Sequence, residues 1–218
     1  MRGIYTALAS SLALVAAAAG AHATTYNAAT EFSGTQGGTT GVWEYGELVG
    51  GVFNTLPYSS GAGAYEGTDD FNTPILGLPV ANTLFMHPGQ FGEVTDLRFI
   101  ALSAGTYTAT FSAELTDSSC GACSGEDGVT AAINSTSVLV NRPGGYSYQT
   151  VTDTFTLASG GIIDFSISPN QNYNYDSTRV IASVSLVPEP AAWALMLAGF
   201  GGLGAVLRAR RRATLATV

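Results

Sequence analysis

Residues 106–115 read TYTATFSAEL, so that Tyr107, Ala109, Phe111, Ala113 and Leu115 alternate with Thr106, Thr108, Thr110, Ser112 and Glu114. A strand sends successive side chains to opposite faces, so this pattern describes a strand with one face in a core and the other in water. Just upstream, residues 94–101 place Leu97 and Phe99 opposite Asp96 and Arg98, and Ser103-Ala104-Gly105 makes a connection. The two segments are expected to pair as an antiparallel hairpin. Downstream, Val129, Ala131 and Ile133 alternate with Thr130 and Ala132, residues 134–136 turn the chain into 137–140, and Asn141-Arg142-Pro143-Gly144-Gly145 breaks it again. Residues 149–157 offer Val151, Phe155 and Leu157 on one side, with Asp153 in phase with them and against the pattern. Gly160-Gly161 leads to Ile163, Phe165 and Ile167, and after a polar loop the last strand is expected over 178–187, with Val180, Ala182, Val184 and Leu186 in phase.

Between 24 and 188 no segment carries a helical apolar period beyond a turn or so. Short strands separated by Gly, Asn and Pro turns predict an all-β domain, a jelly-roll-like antiparallel β-sandwich over 24–187. An outer-membrane barrel would need a far stronger pattern of lipid-facing aromatic residues. The first third is less regular. There Trp43 and Tyr45 share one face, which suits core packing or, together with His87, a platform that contacts sugar.

Both ends differ from the middle. Residues 1–23 run from Arg2 through a small-residue apolar stretch to Ala21-His22-Ala23, the form of a signal peptide removed before Thr24. A buried N-terminal helix is the alternative. At the other end, Pro188-Glu189-Pro190 precedes an apolar run from Ala191 to Leu207, then Arg208, Arg210, Arg211 and Arg212, with 213–218 a disordered tail. Residues 191–207 as a helix would be roughly 25 Å long, the low end for a transmembrane helix, and the arginines are expected to stay on the cytoplasmic side of the inner membrane. Pro188, Glu189, Pro190 and Trp193 with the glycine-rich run and the arginine tail resemble the PEP-CTERM sorting signal, in its PEPxxWAxM form. That resemblance covers about the last 25 residues. It implies export by a Gram-negative bacterium that makes extracellular polysaccharide. It also implies cleavage near the PEP tripeptide by an exosortase, transient residence at the inner membrane, and delivery to the cell surface or matrix.

Between the signals the chain has no lysine and only Arg98, Arg142 and Arg179 against fifteen carboxylates, a net charge near −12. Such a chain repels nucleic acid and anionic lipid. It suits a soluble surface protein or one that collects divalent cations. Cys120 and Cys123 can close a small disulfide in an oxidising compartment, and no helix or βαβ pattern beside them supports redox catalysis. Asp117, Glu126 and Asp127 surround that loop and form the candidate calcium ligands, with Asp69, Asp70 and Asp176 in other acid-bearing loops. Solvated turn acids are the alternative for each group. No cofactor is required.

For catalysis, His87 is the one histidine between the signals, and it precedes Pro88-Gly89, where a loop turn explains it. With fifteen acids, a pair at glycosidase spacing arises by chance. The chain is therefore read as non-enzymatic. The order of Asn27 and Phe32, Gly41-Val42-Trp43-Glu44-Tyr45-Gly46, His87-Pro88-Gly89, Ala104-Gly105-Thr106-Tyr107, Asp127-Gly128-Val129 and Asn172-Tyr173-Asn174-Tyr175-Asp176-Ser177-Thr178 resembles secreted bacterial domains that look like jelly-roll carbohydrate-binding modules. That resemblance implies polysaccharide contact and no catalytic residues. The competing expectations are a structural surface or matrix protein, a carbohydrate-binding module, and a glycan-active enzyme.

Overall fold

The computed structural model describes residues 23–67, 74–80, 82–116, 128–140, 147–188 and 190–215. Asp69, Asp70, Asp117, Cys120, Cys123, Glu126, Asp127 and Arg142 lie outside the described residues, as does the expected signal peptide up to residue 22. The chain divides into two units, Thr25–Leu186 and the terminal stretches Met1–Thr24 with Val187–Val218.

The first unit is built from strands. They are β1 (Thr25–Asn27), β2 (Trp43–Val49), β3 (Val52–Thr55), β4 (Tyr58–Ser59), β5 (Ala64–Glu66), β6 (Ile75–Val80) and β7 (Thr83–His87). There follow β8 (Val94–Ile100), β9 (Gly105–Leu115), β10 (Val129–Ile133), β11 (Thr136–Val140), β12 (Gln149–Leu157), β13 (Ile162–Pro169) and β14 (Thr178–Val187). One sheet runs β12-β9-β14-β7-β6-β5-β4, with β1 also on β14. The other runs β11-β10-β13-β8-β2-β3. The registers are antiparallel, and the unit is the expected jelly-roll-like antiparallel sandwich.

The alternation in β9 explains why the two sheets face each other. Tyr107, Ala109, Phe111, Ala113 and Leu115 are buried while the residues between them are not. Phe111 meets Phe165 of the opposite sheet edge-on at 5.4 Å, Phe165 lies 6.0 Å from Trp43, and Tyr107 lies 5.7 Å from Phe99. Rings from both inner faces thus interdigitate, each buried aromatic contributing about 2 kcal/mol by area removed from water.

The expected hairpin between 94–101 and 106–115 does not form. β8 pairs with β2 and β13, whereas β9 pairs with β12, so the connection crosses from one sheet to the other. Both strands carry large rings on one face. Facing each other across the core, these rings cover each other, as Phe99 and Tyr107 do at 5.7 Å. Ala101 marks the departure: its N–H donates to the Gly161 carbonyl (2.8 Å), and its carbonyl accepts from Gly160 N–H (2.7 Å). The hairpin expected over 129–140 is present as β10 and β11, turned through Asn134 at φ 50°.

Asp153, out of place in the pattern, sits on the edge strand β12. Its carboxylate accepts hydrogen bonds from Thr136 Oγ1 (2.7 Å) and from the Thr154 N–H (2.7 Å). These bonds hold its pKa below the ordinary value. The side chain therefore closes the open side of the sandwich instead of entering the core. In the first third, β3 to β7 are short and include Gly77, whose hydrogen in place of Cβ lets β5 approach: a Cβ there would stand 2.6 Å from the Ala64 Cα.

In the second unit, α1 spans Pro190–Leu215. Among the described residues no helix is long and apolar enough to cross a membrane. Gly199, Gly201, Gly202 and Gly204 remove apolar side chain from the middle of the run.

Candidate functional site

Strand registers bring several functional candidates to one end of the sandwich. His87 ends β7, and its neighbour Met86 pairs with Thr178 at the start of β14. Pro169, the last residue of β13, pairs with Val129 at the start of β10. Thr116, just after β9, binds the Ser177 carbonyl through its N–H (2.8 Å) and its Oγ1 (3.0 Å). The β7–β8 connection (88–93), the β13–β14 connection (170–177) and the chain ends flanking 117–127 therefore share this end.

At this end His87 is half-buried, its Nδ1 2.7 Å from the Pro88 carbonyl, and its ring meets Tyr173 edge-on at 6.2 Å. Thr95 Oγ1 donates to the His87 carbonyl, fixing the strand end. The 170–177 loop turns on Asn172, whose Oδ1 accepts from Asn174 N–H (2.9 Å), and on Tyr175 at φ 65°. Tyr175 is 38% exposed and Phe91 is 80% exposed, so both present ring surface to solvent, while Asp176 is fully buried beneath its loop. Rings beside amides are the side-chain chemistry that saccharides use, an apolar face with hydrogen-bonding groups around it. Phe91 was not singled out from the sequence; the signal that marks it is a ring within the Pro88-Gly89-Gln90-Phe91-Gly92 turn, between β7 and β8.

Trp43 and Tyr45 do not belong to this end as sugar contacts. Both are fully buried. Trp43 Nε1 donates to Glu31 Oε2 (2.8 Å), and Tyr45 stacks on Tyr65 at 4.4 Å. Burial raises the pKa of Tyr65 to about 12 and that of Tyr45 beyond the ordinary tyrosine range. A same-face aromatic pair reads identically for a core and for an open platform, and the opposing sheet decides. Of the three candidates, His87 alone keeps an accessible position.

No group of three or more metal-ligating side chains among the described residues is arranged to hold an ion.

A second cluster lies on the water side of the sheet containing β8. Asp96 is fully buried there, and Arg98 forks onto Asp164, Nε to Oδ1 at 2.7 Å and Nη2 to Oδ2 at 3.1 Å. Among the described residues, neither candidate cluster brings together a nucleophile, a base and an oxyanion-binding group.

Beyond the sandwich, the chain from Leu186 to Arg212 matches the model of the PEP-CTERM protein-sorting motif. The protein carries a PEP-CTERM sorting signal. The motif begins at the end of β14 and extends through Pro188, Glu189, Pro190 and Trp193 to the arginines at 208, 210, 211 and 212, so it joins the sandwich without a linker domain. Among curated proteins, none matches the sequence.

Solved structures similar to this chain include a CBM4 carbohydrate-binding module, 17% identical, covering 58% of this chain and 79% of that one with a TM-score of 0.31. A family 29 carbohydrate-binding module is 10% identical over 76% of this chain and 90% of that one, TM-score 0.31. A CBM6 module of Cellvibrio mixtus lichenase 5A in complex with cellotriose is 13% identical over 59% and 89%, TM-score 0.27. Likeness at this level carries no argument about ligand or activity.

Proposed function

We propose that this chain is an exported surface or matrix protein, processed by an exosortase at its PEP-CTERM signal, whose sandwich acts without catalysis. The observation that carries the reading is the sorting motif at 186–212, placed directly after the last strand of the sandwich. Trimming near Pro188 would leave every strand up to β14 in place, because no strand lies beyond Val187 among the described residues. The acidic, lysine-free composition of 24–187 suits a protein kept soluble outside the cell. The arginines after the glycine-rich run favour a surface of anionic lipid, the side on which the basic end of such a signal is held.

A second reading rests on a specific observation. The ring and amide groups of His87, Tyr173, Asn172 and Asn174 at one end suit extracellular polysaccharide, with Phe91 and Tyr175 presenting ring surface there.

Processing is tested by mass spectrometry of the mature protein from wild-type cells and from cells lacking the exosortase. The expected wild-type product is shorter and lacks the arginine tail, and the longer chain accumulates in the deletion strain. A mature protein ending at Val218 in wild-type cells would overturn the reading. Glycan binding by the recovered protein, compared with Tyr173→Ala and Phe91→Ala, separates the second reading from a purely structural role. Equal retention by all three proteins removes it.

A further inference from the structure

The Asp96 cluster has no part in sorting or in the loop-end site, and its geometry is unusual for an outward position. Asp96 alternates with the core residues Thr95 and Leu97, so its side chain leaves β8 on the water side, yet it is fully buried. Neither carboxyl oxygen has a hydrogen-bond donor. On this face the edge of the sheet lies beside it. Gly46 of β2 stands opposite Asp96, and a Cβ on Gly46 would stand 2.6 Å from the Phe53 ring, so that ring lies on the bare glycine backbone. The other side of Phe53 faces Arg98, whose guanidinium carbon is 3.9 Å from the ring centroid. Arg98 thus ties the β3 edge to β13 through Phe53 and Asp164.

The charged groups on the strands packed around Asp96 are few. β8 contributes Arg98, and β13 contributes Asp164 opposite Arg98, with Ser166 opposite Asp96. β2 contributes Glu44 opposite Arg98, and Glu47 opposite Thr95. Arg98 is the one cation on these strands, and Asp164 already binds it through two nitrogens. As an ionised group Asp96 would have no donor. As an acid its proton has the Asp164 carboxylate to face.

We propose that the β2–β3 edge hairpin is a pH-responsive clasp: protonated Asp96 leaves Arg98 to hold Asp164 and Phe53, and ionised Asp96 draws Arg98 away and frees the hairpin. Removal from water, then the negative charge of Asp164, raise the Asp96 pKa to about 8, with Arg98 opposing them. The unfolded chain titrates near the ordinary aspartate value of about 3.9. Between the two values the folded state holds the extra proton. The stabilisation is complete below about pH 4, declines as pH rises, and is lost on passing about pH 8. The proton goes to solvent, and the step needs no co-reactant.

The test uses protein purified from cells, as wild type and as Asp96→Asn, followed by thermal melting and amide exchange from pH 5 to pH 9. The expected wild-type Tm falls by about 5 °C or more, an amount that a change of a kcal/mol or two produces in a domain of this size. Exchange protection at 52–55 should fall with an inflection near pH 8 and ahead of protection at β9. The Asp96→Asn protein should lose that inflection and melt higher than wild type at pH 9. Identical pH profiles for the two proteins overturn the clasp. Wild-type protection at 52–55 that holds level from pH 6 to 9 also overturns it, and this second measurement does not depend on the variant folding.

Discussion

The two sheets turn very different faces to water, although the same period-two alternation builds both. On the β9 and β12 side, each rung is a pair of hydroxyls: Ser112 with Thr150 at 2.8 Å, Thr110 with Thr152 at 3.4 Å, and Thr108 with Thr154 at 3.4 Å. Those threonines on β12 are exposed, and no charge interrupts the three rungs. On the β8 side, the corresponding outward positions hold Asp96, Arg98 and Asp164, with Asp96 shut away from solvent. The difference lies at the neighbouring strand. β12 is an edge whose Asp153 folds inward toward Thr136, leaving the hydroxyl rungs open. Next to β8, Gly46 leaves a gap in β2 into which the Phe53 ring settles from β3. An outward position in a strand is therefore wet only if nothing two strands away can reach over it.

Three tests break or sharpen this contrast. Arg98→Ala removes the one cation of the charged face and leaves two neighbouring acids uncompensated. The expected loss is about 3 kcal/mol, at the low end for breaking a buried pair because Arg98 and Asp164 are not fully enclosed, and urea unfolding measures it. A loss below about 0.5 kcal/mol would make the two faces energetically alike. Phe53→Ala opens the cover and loses a half-buried ring and its contact with the guanidinium, costing about 1–2 kcal/mol. It should also move the Asp96 titration down toward the ordinary aspartate range, since burial is the largest cause of its rise. Carboxyl NMR follows that shift, and an unmoved titration would assign the burial to other groups. The smallest effect belongs to the hydroxyl face: a double-mutant cycle on Thr110→Ala and Thr152→Ala should give a coupling of about 0.5 kcal/mol or less. A coupling as large as the Arg98 effect would erase the distinction between a solvated ladder and a covered cluster.

The site candidates show the same division between local pattern and tertiary context. His87 was visible as a lone imidazole before a Pro-Gly turn, and it does sit at an accessible strand end beside Tyr173. Trp43 and Tyr45 were visible as a same-face pair, but their burial depends on Phe99, Phe165 and Tyr65, which are distant in the chain. Asp96 looked like an ordinary outward residue of an alternating strand. Nothing within β8 indicates that Phe53, forty-three positions earlier in the sequence, lies on Gly46, the residue opposite Asp96.

What the sequence by itself determined is whatever depends on neighbours along the chain. Period two in β9, β10, β13 and β14 dictates strands, because alternation is a property of the extended backbone. The PEP tripeptide, Trp193 and the arginine tail define the sorting signal, because such a motif is a linear segment of sequence. Tertiary structure alone decided that β8 and β9 face each other across the core instead of pairing, that Trp43 and Tyr45 lie inside, and that Asp96 is dry. Each of these depends on which strand from elsewhere in the chain covers a given face, and burial in a sandwich is a property of the opposing layer and the neighbouring edge, which alternation within one strand does not encode.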